Sequence, residues 1–185
     1  VGVKDYKKPM SKLGKGDSST SLGTNIPKGA QFVEIAVKNF THVGGRPTWL
    51  KGIRINTKSE FNSKFGFGSS STSTVCVIKA LSELTGAKLS DKAIFKLAYK
   101  TVLDIQGKGS GFDVAAAIFG GTLYFVLGGK VIQPLNLKNL PLIIGYSGIK
   151  ADTVELMAEV SKKADKFPKV IDDIYTSIGK LIPQA

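Results

Sequence analysis

The sequence predicts an α+β fold on three observations. Apolar residues recur every three or four positions in several separate segments, which is the spacing of one face of a helix. Two other stretches, residues 53–57 and 122–133, have the alternation or the β-branched and aromatic content of strands. Glycine pairs and prolines separate these segments, as they do at turns. No internal repeat is present, so we expect one mixed arrangement of helices and strands.

The N-terminal part of the chain predicts one helix and one strand. Apolar residues in Ala30–Phe40 have helical spacing, and the glycines and proline of His42–Pro47 end that pattern. Ile53 and Ile55 then alternate with polar residues, as in a half-buried strand. The segment Lys12–Asn25 has almost no apolar residue, which is typical of a mobile loop.

Three further helices are predicted in the middle of the chain. The first begins in a serine-threonine run and stops at Gly86, a typical helix end. The second is capped by Ser90, and the third is short, rich in small residues and preceded by a glycine-rich loop. Their expected ranges are Ser69–Leu84, Asp91–Leu103 and Val114–Ile118.

The C-terminal part predicts a hairpin, a buried strand and two helices. Gly128 and Gly129 are typical hairpin-turn residues between two strands. Pro168 is placed as a proline at the start of the last helix would be. The expected strands are Thr122–Leu127, Lys130–Gln133 and Leu142–Tyr146, and the expected helices are Asp152–Ala164 and Lys169–Leu181. We place a domain boundary between residues 138 and 139, giving domains 1–138 and 139–185.

The composition indicates a globular protein that attracts anions. The formal net charge is +12, and 42% of the 185 residues are hydrophobic. The lysines are scattered and do not interleave with aromatic residues, so we do not expect nucleic acid as the main partner. A lone cysteine, Cys76, fits a reducing cytoplasm. No apolar run reaches the ~18 residues that span a bilayer, so we expect no membrane partner.

A glycine-serine loop, Gly66–Ser71, precedes the second predicted helix. Gly66 and Gly68 let the backbone turn closely around an anion, and a helix N-terminus has free N–H groups and a partial positive charge. The serine hydroxyls can donate to phosphate oxygens or complete a magnesium shell. No Walker lysine follows, so this is not a P-loop. We expect the N–H groups of Gly68–Ser71 to point into one concave pocket. The alternative is a flexible linker that caps a helix.

A second glycine-rich loop, Gly107–Gly111, places Asp113 at the start of a short helix. A carboxylate there is favoured by the helix dipole and can orient or deprotonate a hydroxyl in phosphoryl transfer. The alternative role is a simple N-terminal cap. Lys108, inside the loop, either contacts a substrate phosphate or is solvated. We expect Asp113 within about 10 Å of Ser69–Ser71, since a phosphoryl group and acceptor must fit between them with reacting atoms ~3–3.5 Å apart.

Three motifs in order resemble the GHMP small-molecule kinases. The loop Gly66–Ser71, GFGSSS, resembles their G-L-G-S-S motif. The stretch Gly109–Asp113, GSGFD, followed by Gly120-Gly121, resembles the S-G-x-D … G-G segment of their mevalonate and phosphomevalonate kinase branch. The segment Pro141–Thr153 resembles the strand-to-helix segment that follows in that branch. The resemblance covers roughly residues 30–180.

This resemblance implies a GHMP kinase fold, with a ribosomal-S5-domain-2-like N-terminal domain and the start of a C-terminal α+β domain. It implies a kinase that uses ATP and Mg²⁺ on mevalonate or phosphomevalonate, an anionic small molecule. The expected location is the cytoplasm, and a homodimer stays open as an assembly. Its implied site comprises Gly66, Gly68, Ser69, Ser70 and Ser71 at the ATP phosphates, Ser70 also at the metal, Asp113 as the catalytic residue, and Lys108, Ser110 and Gly111 at the substrate.

The sequence departs from the family pattern in three places. Residues 1–30 have no P-G-K/G-E-H type motif, and nothing after Ala151 resembles the G-x-G-G-G type loop of the family's C-terminal domain, so we expect a fragment. The magnesium-binding glutamate of mevalonate kinases falls near Val102, with Asp104 the nearest acid. The GSGFDVAAA wording is closer to phosphomevalonate kinases, whereas Pro141–Thr153 is closer to archaeal-type mevalonate kinases. A sugar or heptose kinase, and a non-catalytic nucleotide- or RNA-binding module, stay as alternatives.

Overall fold

The computed structural model describes residues 28–44, 52–60, 65–137, 140–149 and 153–181. The chain divides into two compact units. Unit 1 comprises Val1–Ser63 and Phe67–Ile143, and unit 2 comprises Lys64–Gly66 and Ile144–Ala185. The domain boundary between residues 138 and 139 stays a prediction.

Unit 1 contains four helices and a β-hairpin in its described ranges. The elements are α1 (Lys28–Gly44), α2 (Ser69–Thr85), α3 (Asp91–Gln106), α4 (Phe112–Phe119), β1 (Thr122–Val126) and β2 (Val131–Leu135). Each of the four helices covers the range that the periodicity predicts, and α1 continues past the expected end to Gly44. None of the helices within the described residues is long and apolar enough to cross a membrane.

The core of unit 1 lies where α1, α2 and α3 pack against one another and α4 packs against α2 and α3. The buried side chains are those at helical spacing, so the predicted apolar faces are the packed faces. Burying each large apolar side chain contributes about 1.5–3 kcal/mol. The buried residues of this core include Phe40, Ile78, Val114, Phe95, Leu81 and Val102.

Local end signals set the boundaries of α2 and α3 as the sequence predicts. Gly86 adopts a left-handed conformation, with φ of 72°, and its N–H donates to the last carbonyls of α2. The Ser90 hydroxyl accepts a hydrogen bond from the Ala93 N–H at 3.3 Å, which caps α3. These contacts satisfy backbone groups that would otherwise lack partners at helix ends.

A polar contact joins α1 to α3 inside the core. The buried Asn39 side-chain amide donates to the Thr101 hydroxyl at 3.0 Å and to an Asp104 carboxylate oxygen at 2.8 Å. The same oxygen of Asp104 pairs with Lys100 at 2.6 Å. Asp104 therefore serves the packing of two helices, while the neighbouring Val102 is buried in the core.

The β-hairpin packs against the helical core of unit 1. The strands β1 and β2 pair antiparallel, with Val126 opposite Val131 across the turn. The turn contains Gly128 and Gly129, both at positive φ, as the glycine pair predicts. Half-buried side chains of both strands, among them Phe125, pack on the helical core.

The strand expected around Ile53 and Ile55 is not present in the described residues 52–60, so this prediction is wrong. The alternation itself is real, because Ile53 and Ile55 are half-buried against the core while Arg54 and Asn56 are exposed. An alternating pattern determines which side chains face a core. It does not determine a hydrogen-bonded neighbour, which a strand also requires.

Unit 2 contains an α-helical hairpin, α5 (Thr153–Lys166) and α6 (Pro168–Leu181). Both helices and the initial proline agree with the sequence prediction. The two helices contact each other, and an open groove of about 320 Å³ is lined by the exposed side chains of Leu156, Val160 and Tyr175.

The buried strand expected at Leu142–Tyr146 is wrong. Residues 140–149 form no strand, and the side chains of Leu142, Ile143 and Ile144 are exposed. A run of apolar residues indicates that burial would be favourable, but it carries no information about the surface that would cover it. The described residues supply no hydrogen-bonded neighbour for this run.

Candidate functional site

The N-terminus of α2 is built from the glycine-serine loop. Gly68 caps the helix in a left-handed conformation, with φ of 67° and ψ of 31°, and contributes no side chain. Its carbonyl accepts from the Thr72 N–H at 2.9 Å, so the helix is regular from its first turn. The N–H groups of Ser69, Ser70 and Ser71 lie in that first turn, where a helix has no carbonyl of its own to accept them. They form a set of donors suited to an anion.

The N-terminus of α4 is built from the second glycine-rich loop in the same way. Gly111 caps it in a left-handed conformation, with φ of 87° and no side-chain cap. Asp113 follows in the first turn, where a negative charge is favoured by the helix dipole. One oxygen of its carboxylate, Oδ1, accepts from the Val114 N–H at 3.2 Å.

The two helix N-termini meet at Asp113. The Ser71 hydroxyl donates to Asp113 Oδ2 at 2.7 Å, across 42 residues of sequence. A Cβ built on Gly68 would lie 3.3 Å from the Asp113 Cβ, so the cap of α2 also contacts this residue. The expectation that Asp113 lies within about 10 Å of the serine loop is therefore confirmed.

The three serines differ in how they use their hydroxyls. Ser71 is 3% exposed, and its hydroxyl is turned towards Asp113. Ser69 and Ser70 are half-buried, and neither hydroxyl is hydrogen-bonded to another described residue. The Ser70 carbonyl accepts from the Thr74 hydroxyl at 2.9 Å. A ligand at this helix end would therefore meet the hydroxyls of Ser69 and Ser70 and the N–H groups of the first turn. The expected concave pocket and the phosphate contacts stay predictions.

Tyr99 of α3 contacts the loop Gly107–Gly111, a role that the sequence does not predict. Its hydroxyl donates to the Gly109 carbonyl at 2.8 Å. The hairpin turn adds a second contact, because the Gly128 N–H donates to the Ser110 carbonyl at 3.0 Å. A tyrosine on a mostly apolar helix face resembles any core aromatic residue, so nothing in the pattern around Tyr99 marks this contact.

The remaining predicted site residues are placed as follows. Lys108 is exposed, and Ser110 is half-buried beside the buried Gly111. Gly66 has a φ of 79° and belongs to unit 2. The substrate-binding roles of Lys108, Ser110 and Gly111, and the phosphate role of Gly66, stay predictions.

The donor set around Asp113 fits a magnesium–phosphate complex better than a metal cage. Among the described residues there is no group of three or more His, Cys, Asp or Glu side chains that could hold a metal ion. Mg²⁺ typically keeps several waters and binds through one or two protein oxygens plus substrate phosphates. Ser70 and Asp113 could supply such oxygens at the N-termini of α2 and α4.

A family model described as GHMP kinases N terminal domain matches residues 31–121. The matched range holds most of α1, all of α2, α3 and α4, and both glycine-rich loops. The chain belongs to the GHMP kinase superfamily, and the predicted α+β class and GHMP kinase N-terminal domain are confirmed.

Curated relatives place the chain in the mevalonate kinase branch of that superfamily. Mevalonate kinase from Thermococcus sibiricus is 30% identical over 185 residues, covering 100% of this chain and 55% of the relative. Mevalonate kinase from Pyrococcus horikoshii is 37% identical over 134 residues, covering 72% of this chain and 39% of the relative. Mevalonate kinase from Archaeoglobus fulgidus is 30% identical over 154 residues, covering 83% of this chain and 51% of the relative.

The chain spans about half the length of the curated relatives it matches. No solved structure matches it significantly.

Proposed function

We propose that this protein is an ATP-dependent kinase that transfers the γ-phosphoryl group of ATP to mevalonate or phosphomevalonate. One observation carries the proposal: the Ser71 hydroxyl and the Asp113 carboxylate meet at 2.7 Å where two helix N-termini converge. This contact puts a set of anion-binding N–H groups beside the only acid in the first turn of either helix. Membership of the GHMP kinases and the names of the relatives support the same activity.

The ATP side of the site is assigned to the start of α2. The N–H groups of Ser69–Ser71 and the partial positive charge of the helix bind the phosphates. The Ser70 hydroxyl would hold Mg²⁺ as a hard oxygen ligand, and the ion would neutralise charge on the phosphates. Gly68 permits this arrangement because it takes a positive φ and leaves room for Asp113.

The acceptor side is assigned to the start of α4. For mevalonate, Asp113 orients the acceptor hydroxyl and takes its proton as the new O–P bond forms and the bond from the γ-phosphorus to ADP breaks. For phosphomevalonate, the acceptor is a phosphate that needs no deprotonation, so Asp113 contributes less. Lys108, Ser110 and Gly111 are assigned to binding the acceptor, with Lys108 available to pair with a phosphate.

Different observations support the two acceptors. The names of the archaeal relatives favour mevalonate. The buried Val102 favours phosphomevalonate, because it stands where the resemblance places the magnesium-binding glutamate of mevalonate kinases. Asp104, the nearest acid, is engaged with Asn39 and Lys100 and does not replace that glutamate.

The test is ADP formation by the protein at its natural length, with MgATP and each of three acceptors: mevalonate, phosphomevalonate and galactose. The proposal expects ADP formation that depends on mevalonate or phosphomevalonate. Turnover only with galactose would support the sugar kinase alternative. No turnover with any acceptor, together with binding of a single-stranded RNA oligonucleotide, would replace the kinase proposal by a non-catalytic module.

The proposed setting of this activity is the cytoplasm, with ATP and an anionic small molecule as the partners and a homodimer as one possible assembly. The excess of basic residues supports an anionic substrate, because it raises the local concentration of anions. The single cysteine supports a reducing compartment.

A further inference from the structure

Two backbone carbonyls of the loop that leads to Asp113 accept hydrogen bonds from residues outside the loop. Residues 107–111 lie between α3 and α4 and belong to no helix or strand. The Tyr99 hydroxyl donates to the Gly109 carbonyl at 2.8 Å, and the Gly128 N–H donates to the Ser110 carbonyl at 3.0 Å. Asp113 follows only three residues after Ser110, so these two bonds set the course of the backbone that carries its carboxylate.

Tyr99 makes a second contact with the same loop through its ring. A Cβ built on Gly111 would lie 3.0 Å and 3.1 Å from two ring carbons of Tyr99. A separation of 3.0–3.1 Å is closer than ordinary carbon contacts of about 3.5–4.0 Å, so the backbone of Gly111 lies directly against the ring. Tyr99 therefore meets the loop at Gly109 by a hydrogen bond and at Gly111 by packing.

The Tyr99 ring is itself held in place by Phe95. The two rings stack with centroids 5.7 Å apart and planes 24° from parallel. Phe95 is buried and also contacts Phe125 of β1, with centroids 6.3 Å apart. A Cβ on Gly129 would clash with the Phe95 ring, so the backbone of the hairpin turn lies directly against that ring. A ring enclosed in this way cannot easily change rotamer.

We infer that Tyr99 is a positioning residue for the acceptor side of the site, acting through the Gly109 carbonyl on the Asp113 carboxylate. The inference rests on the proposed function. It concerns one side of the site, because the hydrogen bond and the ring packing of Tyr99 are both made with the loop before α4. Its effect should fall on acceptor turnover and leave ATP binding unchanged.

The test is Tyr99→Phe in the protein at its natural length. This variant removes the hydrogen bond and keeps the ring, so the packing on Phe95 and Gly111 is preserved. Loss of one such bond should lower kcat about 3- to 10-fold, with KM for ATP within about twofold of the wild-type value. Tyr124→Phe is the matched control, because Tyr124 is an exposed residue of β1 and should show neither change.

A double-mutant cycle separates positioning from a general structural role. If Tyr99 acts through Asp113, Tyr99→Phe should lower kcat in the wild-type background and have almost no effect in an Asp113→Asn background. An equal loss in both backgrounds, or a loss that appears in KM for ATP, would overturn the inference. Thermal unfolding of each variant is measured so that all assays are made well below the transition.

Amide hydrogen exchange tests the same inference without activity. Tyr99→Phe should speed exchange in residues 107–113 relative to Tyr124→Phe, because the Gly109 carbonyl loses the hydrogen bond that ties the middle of the loop to α3. Unchanged exchange there would overturn the inference. If the wild-type protein phosphorylates no acceptor, the proposed function fails. If Asp113→Asn alone leaves kcat with mevalonate unchanged, the catalytic assignment of Asp113 fails. In either case this exchange measurement still decides whether Tyr99 fixes the loop.

Discussion

The helices α2 and α4 both begin after a glycine in the left-handed conformation, Gly68 with a φ of 67° and Gly111 with a φ of 87°. Neither glycine is assisted by a side-chain cap. The helices differ in their first turns, since α2 has no acid there and α4 has Asp113. The N-terminus of α2 can therefore accept an anion from outside the protein, whereas the N-terminus of α4 carries a carboxylate of its own.

This difference indicates how one site can treat two reactants differently. A helix N-terminus attracts negative charge, so an uncharged first turn favours binding of phosphate. A first turn that already contains a carboxylate has that preference satisfied, and the carboxylate becomes a group that can hold a hydroxyl proton. The Ser71–Asp113 hydrogen bond joins the two arrangements. Substitutions on each side should therefore have separable effects on kcat and on KM for ATP.

The largest effect is expected from Asp113→Asn. The amide keeps the size of the side chain but loses the charge, so kcat with mevalonate should fall about 10²- to 10⁴-fold while KM for ATP changes little. The control is Asp91→Asn, an exposed acid in the first turn of α3 that pairs with Lys79 at 3.5 Å. Steady-state kinetics of both variants check this. Equal kcat values in the two variants would contradict the catalytic assignment.

Gly68→Ala should have the next largest effect. The Ala side chain would be held at positive φ, at a cost of roughly 1–2 kcal/mol of stability. It would also press on the Cβ of Asp113, 3.3 Å from the position of the new Cβ. We expect kcat to fall about 10- to 50-fold, below the ~100-fold cost of a full 1 Å misplacement.

Gly86→Ala is the matched control for that variant. Gly86 has a similar φ of 72°, and a Cβ there meets nothing within 4 Å. Chemical denaturation should show a similar loss of stability in both variants, but only Gly68→Ala should lose activity. If Gly86→Ala loses as much activity, the strain alone and not the contact with Asp113 explains the effect.

Ser70→Ala and Ser71→Ala should separate the two roles within one helix turn. Ser71→Ala removes a donor to Asp113 and should lower kcat about 10-fold, as expected for a hydrogen bond to a charged group. Ser70→Ala should raise KM for ATP, because it removes a proposed ligand of Mg²⁺. Ser82→Ala is the control, since it loses a buried hydrogen bond to the Leu89 N–H away from the site. The same kinetic change in Ser70→Ala and Ser71→Ala would remove the distinction.

Lys108→Ala should have the smallest effect with mevalonate, since an exposed charge contributes about 0–1 kcal/mol. With phosphomevalonate the same change should raise KM for the acceptor several-fold, because a lysine that pairs with phosphate is lost. Lys92→Ala, another exposed lysine, is the control. Acceptor KM values for both substrates check this. No change with either acceptor would place the acceptor site elsewhere.

Features that depend on neighbours in sequence could be predicted. The apolar spacing predicts α1 to α6, and the end of α2 at Gly86 and the cap of α3 at Ser90 follow from local hydrogen bonds. The two helix N-termini with their glycines are local features as well. The expectation that they meet comes from the reaction assigned to them, because local patterns do not specify a contact across 42 residues.

Features that depend on distant partners could not be predicted. Ile53 and Ile55 face the core as expected, but pairing needs a neighbouring strand that the alternation does not specify. The apolar side chains of residues 142–146 are exposed, and their burial would require a partner surface that the local sequence does not specify. The direction of the Ser71 hydroxyl and the bond from Tyr99 to Gly109 depend on side-chain rotamers in the folded core. The fold class could therefore be predicted from the sequence, whereas the hydrogen bonds within the site could not.

The hairpin turn at Gly128 and Gly129 has a practical consequence for protein engineering. Surface turns of this kind usually accept inserted peptides, affinity tags or fluorescent labels. Here a methyl group on Gly129 would clash with the Phe95 ring, and the Gly128 N–H donates to the Ser110 carbonyl in the loop before Asp113. An insertion or a label at this turn would therefore disturb the proposed acceptor side of the site, through the contacts of the turn with Phe95 and with the loop before Asp113. A reporter for this protein is better attached elsewhere.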